Sequence, residues 1–195
     1  MSDVAAVKGA QQQRHLSTVA MAGIGAAASF TLALAAWSIL STDNYAWILG
    51  GLVASAGFPV AVIDVRTHKL PNRYVAPIAG AGLIQAAAIA FASTDLFRLL
   101  VPMACGAAVF SAYAAMGMAG WFGFGDAKFA AALTVTVAIT SGITSVLIVS
   151  IAVLIGGVQR VLDTILGYRN QVHAHGPALV LAATVILSLT FASAL

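Results

Sequence analysis

The sequence predicts an all-α fold, a polytopic membrane bundle of about seven transmembrane helices, and three observations carry that expectation. Of 195 residues, 61% are hydrophobic and 8% charged, where a soluble domain carries roughly 25% charged residues. Apolar stretches of about 20 residues, the length that crosses a bilayer, recur along the chain between short polar breaks. The few Lys and Arg gather in alternate breaks, which is how membrane topology is written.

Taken in order, 1–44 reads as a polar tail with Lys8, Arg14 and Gln11-Gln12-Gln13, followed by an apolar Ser17 to Leu40. That run is too long for the core of a cleaved signal peptide, so it reads as a retained extra helix. The break Ser41-Thr42-Asp43-Asn44 separates it from a six-helix membrane domain over 45–195. A second helix is expected from Tyr45 to about Val65, carrying Asp64 to its end, and the basic loop Arg66 to Arg73 follows. A third runs from Tyr74 to Ala92, and a fourth from Leu96 to about Gly120. The uncharged stretch after Lys128 is divided at Ser141-Gly142, giving a fifth helix from about Trp121 to Thr140 and a sixth from Ile143 to about Leu162. Pro177 to Leu195 makes the seventh, with Pro177 suited to a first helical turn.

With the N-terminus cytoplasmic, Lys8, Arg14, Arg66, Lys69, Arg73, Lys128, Arg160 and Arg169 all fall inside and Arg98 alone falls outside. The C-terminus is then external. A net charge of +3 dispersed over these loops forms no patch for nucleic acid, so the expected partner surface is the lipid bilayer. Cys105 is the single cysteine, which excludes a disulfide framework and a thiolate metal cluster and makes it a small apolar filler. His173 and His175 lack a third ligand of suitable spacing, so neither a metal nor another cofactor is expected.

The chemistry concentrates in Trp121-Phe122-Gly123-Phe124-Gly125-Asp126-Ala127-Lys128. A carboxylate at membrane depth costs roughly 2.5–3.5 kcal/mol on insertion scales, so Asp126 is a functional candidate and requires a partner. The topology supplies one, bringing Asp64 and Asp126 to the same membrane edge. Two carboxylates in a poorly solvated site do not both ionise readily, so the pair tends to hold one proton. Such a pair can deprotonate a water with its ionised member and protonate a carbonyl oxygen with the other. Plainer readings make Asp126 a helix N-cap, Gly123 and Gly125 packing residues, and Asp64 a partner of Arg66 or Lys69. Lys128 either tunes Asp126 or reaches for the interface, and Pro71-Asn72 shapes the turn into the third helix. The rival function is a small proton-coupled transporter with Asp64 and Asp126 as relay carboxylates, disfavoured because no internal repeat is visible. An idle assembly subunit is a third alternative.

Asp64-Val65-Arg66 with Leu70-Pro71-Asn72, followed by Gly123-Phe124-Gly125-Asp126-Ala127-Lys128, resembles the type IV prepilin peptidases, membrane aspartyl proteases of the GxGD type. The resemblance covers roughly Tyr45 to Leu195, and Gly176-Pro177 looks like the start of that family's last helix. It implies catalysis by Asp64 and Asp126, with Gly123, Gly125, Lys128, Pro71 and Asn72 in support. By the same resemblance the substrate is a prepilin or pseudopilin, cut at its basic leader on the cytoplasmic face of a prokaryotic plasma membrane in pilus biogenesis or protein secretion. No cysteine pair of the methylating members is present, which implies cleavage without methylation, as in the short members serving tight-adherence pili. Phe129 and His173-Ala174-His175 depart from the family pattern, and Pro177-Ala178-Leu179 is similar to the PAL tripeptide of presenilin-type proteases.

Overall fold

The computed structural model describes residues 53–67, 70, 72–165 and 174–192. The expected first helix, the start of the second, Pro71, His173 and the C-terminal residues lie outside them. A π-helical turn, Val53–Gly57, leads into α1 (Phe58–Thr67). Then come α2 (Asn72–Ser93), α3 (Phe97–Met118), α4 (Phe124–Ser141), a 3₁₀ segment Gly142–Val146, α5 (Leu147–Ile165) and α6 (Gly176–Ala192). No strand occurs among the described residues.

α4 is the axis of the fold. It packs against α2, α3 and α6, and it is buried almost all round from Ala127 to Ala138. A helix apolar on every face has nowhere else to go but the middle of a bundle. Its neighbours come close because they present glycines: at Gly106 of α3 an added Cβ would meet a methyl of Val135, and at Gly82 of α2 it would lie 2.7 Å from Thr136 Oγ1. Small residues at such crossings let helix backbones approach where lipid offers no hydrophobic drive for association. The hydroxyls of Thr134 and Thr136 turn back onto the carbonyls of Ala130 and Ala132, so α4 buries no unpaired hydroxyl at these two positions.

The contacts also fix direction. Asn72 meets Lys128 and Gly82 meets Thr136, so α2 runs parallel to α4. Cys105 reaches the Gly142 carbonyl and Gly117 meets Phe122, so α3 runs antiparallel. Gly57 packs on Val180 and Asp64 on Gly176, so α1 descends antiparallel to α6. The ends of α1 and α3 and the starts of α2, α4 and α6 therefore share one end of the bundle.

Three stretches, Asn72–Ser93, Phe97–Met118 and Phe124–Leu162, are long and apolar enough to cross a bilayer, and Gly176–Thr190 is a shorter apolar helix. Their outer faces expose Phe91, Leu100, Met103, Leu154, Val158 and Leu189, as a lipid-facing surface does. The break expected at Ser141-Gly142 is where the α-helix ends, with Gly142 at φ +57. The start of α4 differs from expectation. It begins at Phe124 rather than about Trp121, because Gly120 turns the chain at φ +80 and Gly123 is the N-cap.

A test of the α2–α4 crossing follows from Gly82. Gly82→Leu gains at most about 1 kcal/mol of helix propensity, while overpacking against the Thr136 backbone costs about 1–3 kcal/mol. The expected outcome is a lower thermal midpoint in detergent, with Gly80→Leu, where a Cβ meets nothing within 4 Å, keeping the propensity gain and leaving the midpoint equal to or above the wild type.

Candidate active site

Asp64 lies near the end of α1 with only 4% of its surface exposed. Its Oδ2 accepts a 2.7 Å hydrogen bond from the Gly176 N–H, the first residue of α6. Glycine is required at that contact, since a Cβ on residue 176 would stand 2.9 Å from the same oxygen and 3.1 Å from Asp64 Cβ. Asp126 is half-buried in the first turn of α4. Its Oδ2 accepts from the Gly123 N–H at 3.0 Å, while the Asp126 N–H returns a 3.0 Å bond to the Gly123 carbonyl. This reciprocal cap is why the helix starts where it does. The N-cap reading and the catalytic reading of Asp126 are thus compatible.

Each carboxylate sits on the N-terminus of a helix, Asp64 on α6 and Asp126 on its own α4. Unpaired N–H groups and the helix dipole favour negative charge there, which offsets part of the cost of taking a carboxylate out of water. The two aspartates are near enough to act on one another electrostatically, and Asp126 acts in the same way on Tyr113.

The supporting residues divide into two contacts at this end of the bundle. Lys128 Nζ donates to Asn72 Oδ1 at 2.9 Å, tying the start of α2 to the start of α4. Leu70 covers Gly125, where an added Cβ would stand 3.0 Å from Leu70 Cβ. Leu70 and Asn72 therefore buckle the loop between α1 and α2 onto the first turn of α4. α1 and α6 also leave between them an apolar groove of about 410 Å³, lined by Phe58, Val62 and Val65 with Arg66, and by Pro177, Val180 and Leu181.

Sequence reasoning passed over a cluster behind the two aspartates. Tyr113 of α3, fully buried, shares a 2.8 Å hydrogen bond between its hydroxyl and His175 Nε2. Phe122 packs its ring 4.4 Å from that of His175 and 5.3 Å from that of Tyr113. The signal available was a tyrosine inside an apolar helix, whose hydroxyl needs a partner when buried. Among the described residues no group of three His, Cys, Asp or Glu side chains is placed to hold an ion. Burial lowers the His175 imidazole to about 4, so at neutral pH it is uncharged.

A model of the type IV leader peptidase family matches residues 51–158. The chain belongs to the type IV leader peptidase family. Family membership carries peptidase activity, and the matched span includes Asp64, Asn72 and the whole of Gly123–Lys128 while ending before Gly176. No curated protein and no solved structure matches the chain.

The His175 environment gives this leader peptidase family member a defined pH dependence. Because the folded value, about 4, lies below the ordinary 6.5, the unfolded chain binds the proton first. The His175 contribution to stability is complete above about pH 6.5 and is lost as pH falls toward 4. Thermal midpoints in detergent between pH 7 and pH 4.5 are expected to fall more steeply for the wild type than for His175→Gln.

Proposed function

We propose that this chain is an aspartic endopeptidase that uses Asp64 and Asp126 to cut the leader from prepilin- or pseudopilin-like substrates at the cytoplasmic face of the membrane. The observation that carries the reading is the shared location: carboxylates from two different helices lie at one end of an apolar bundle, near enough to act on one another electrostatically, each held by a backbone N–H at a helix start. Family membership supports the same reaction class.

Two carboxylates that act on one another in a poorly solvated site share a proton more readily than they hold two negative charges. The ionised member takes a proton from a water as its oxygen attacks the scissile carbonyl carbon, and the protonated member gives its proton to the carbonyl oxygen. In the tetrahedral diol the protonation states are reversed. Collapse returns a proton from the diol to one carboxylate while the other protonates the leaving amine, and the C–N bond breaks. The sum is one water consumed and two chain ends released, with no covalent enzyme intermediate.

The cytoplasmic assignment rests on charge. Arg66, Arg73 and Lys128 lie at the aspartate end, as does Arg160 one turn beyond Gly156, where an added Cβ would stand 3.3 Å from His175 Nδ1. Arg98 lies at the other end, where it pairs with Asp95 at 3.5 Å. An excess of Lys and Arg on one side marks the cytoplasmic side. In this reading the seven-helix topology, with the N-terminus inside and the C-terminus outside, places a basic leader where it emerges from the bilayer.

Co-expression with a prepilin-type substrate, a basic leader joined to an apolar helix, tests the proposal. The wild type is expected to release a leader-sized fragment, while Asp64→Ala and Asp126→Ala each lose at least about a thousandfold of the rate and still insert in the membrane. Normal cutting by either variant would remove the paired-carboxylate mechanism, and proton flux that depends on both residues would favour the transporter.

A further inference from the structure

The two backbone N–H groups that hold the aspartates belong to residues adjacent to one aromatic cluster. Gly176, which donates to Asp64, follows His175; Gly123, which donates to Asp126, follows Phe122. The rings of His175 and Phe122 lie 4.4 Å apart, and the Tyr113 hydroxyl binds His175 Nε2 at 2.8 Å. Tyr113 comes from α3, Phe122 from the turn before α4, and His175 from the residue before α6. A fourth wall is Gly156 of α5, where an added Cβ would stand 3.3 Å from His175 Nδ1. The imidazole is thus enclosed on several sides, and its place in the fold is set by contacts with three other segments.

We propose that Tyr113, Phe122 and His175 form a positioning clamp, which fixes the spacing of Asp64 and Asp126 by locking together the two glycines whose N–H groups hold them. The proposal rests on the reading of Asp64 and Asp126 as the catalytic pair. The three side chains are assigned no part at the reacting atoms. They are positioning residues, acting through Gly123 and Gly176. A main-chain shift at His175, once its ring is unlatched, would carry Gly176 N–H away from Asp64, and release of Phe122 would free the cap on Asp126. Rates in a two-carboxylate site depend on sub-ångström placement, so a loosened clamp slows the chemical step without weakening substrate binding.

Tyr113→Phe removes one hydroxyl and keeps the ring, His175→Phe keeps a ring without the nitrogen, and His175→Gln restores a polar group near the Nε2 position. Full-length protein in detergent, with the same prepilin-type substrate, is expected to show kcat lowered about tenfold in Tyr113→Phe and in His175→Phe with KM unchanged. The double variant is expected to be no slower than the slower single one, and His175→Gln to retain most of the wild-type kcat. Amide exchange provides a readout independent of substrate: peptides covering Gly123 and Gly176 should exchange about fivefold faster in Tyr113→Phe while the middle of α4 is unchanged. Unchanged kcat and unchanged exchange in Tyr113→Phe, or losses that simply multiply in the double variant, would overturn the clamp. Full activity in Asp64→Ala would instead overturn the parent reading.

Discussion

The hydrogen bond from Gly176 N–H to Asp64 Oδ2 joins residues 112 positions apart, and the site depends on it. A carboxylate that is 4% exposed in an apolar bundle has to recover its lost hydration from the protein, and a backbone N–H at a helix start is the strongest uncharged donor the fold can supply. Making that bond brings α6 against α1 closely enough that only glycine fits at position 176. The same solution is repeated at Asp126, where the donor is the N-cap of its own helix. Three helix starts converge on one end of the bundle, and their N–H groups suit this end to hold two negative side chains.

α4 makes the convergence possible. It is buried on nearly every side, so its register is fixed by α2, α3 and α6 together, and glycines at the crossings keep those neighbours near. A rigid axis matters for a site assembled from separate helices, because Asp64 and Asp126 come from different helices far apart in the chain. Lys128 with Asn72, and Leu70 on Gly125, fasten the one loop that links α1 to α2 across the start of that axis. Arg73 adds a stacking contact, its guanidinium 4.8 Å from the centre of the buried Tyr74 ring.

The helical class, the break at Gly142 and the co-location of the two aspartates were legible because each has a local cause: uninterrupted apolar runs, a glycine between them, and charges where charge is costly. The start of α4 was not. Trp121 and Phe122 are as apolar as the helix that follows, and hydropathy does not register that Gly120 and Gly123 set the chain turning there. Lys128 and Asn72 were both visible as candidates, yet their mutual bond spans 56 positions and no periodicity encodes it. His175 stood out only as half of an unsuitable metal pair. Its partner Tyr113 lies 62 positions earlier, and only the packing of both α3 and α6 on α4 brings the two together.

The most direct test of one site built from two helices is a cross-link between its two acidic positions. Cys105 is the single native cysteine, so Cys105→Ala gives a clean background for Asp64→Cys with Asp126→Cys. In native membranes the double variant is expected to be bridged by a short bifunctional thiol reagent, blocking later labelling of both thiols. Two thiols that each react with a monofunctional reagent yet are never bridged would contradict the account.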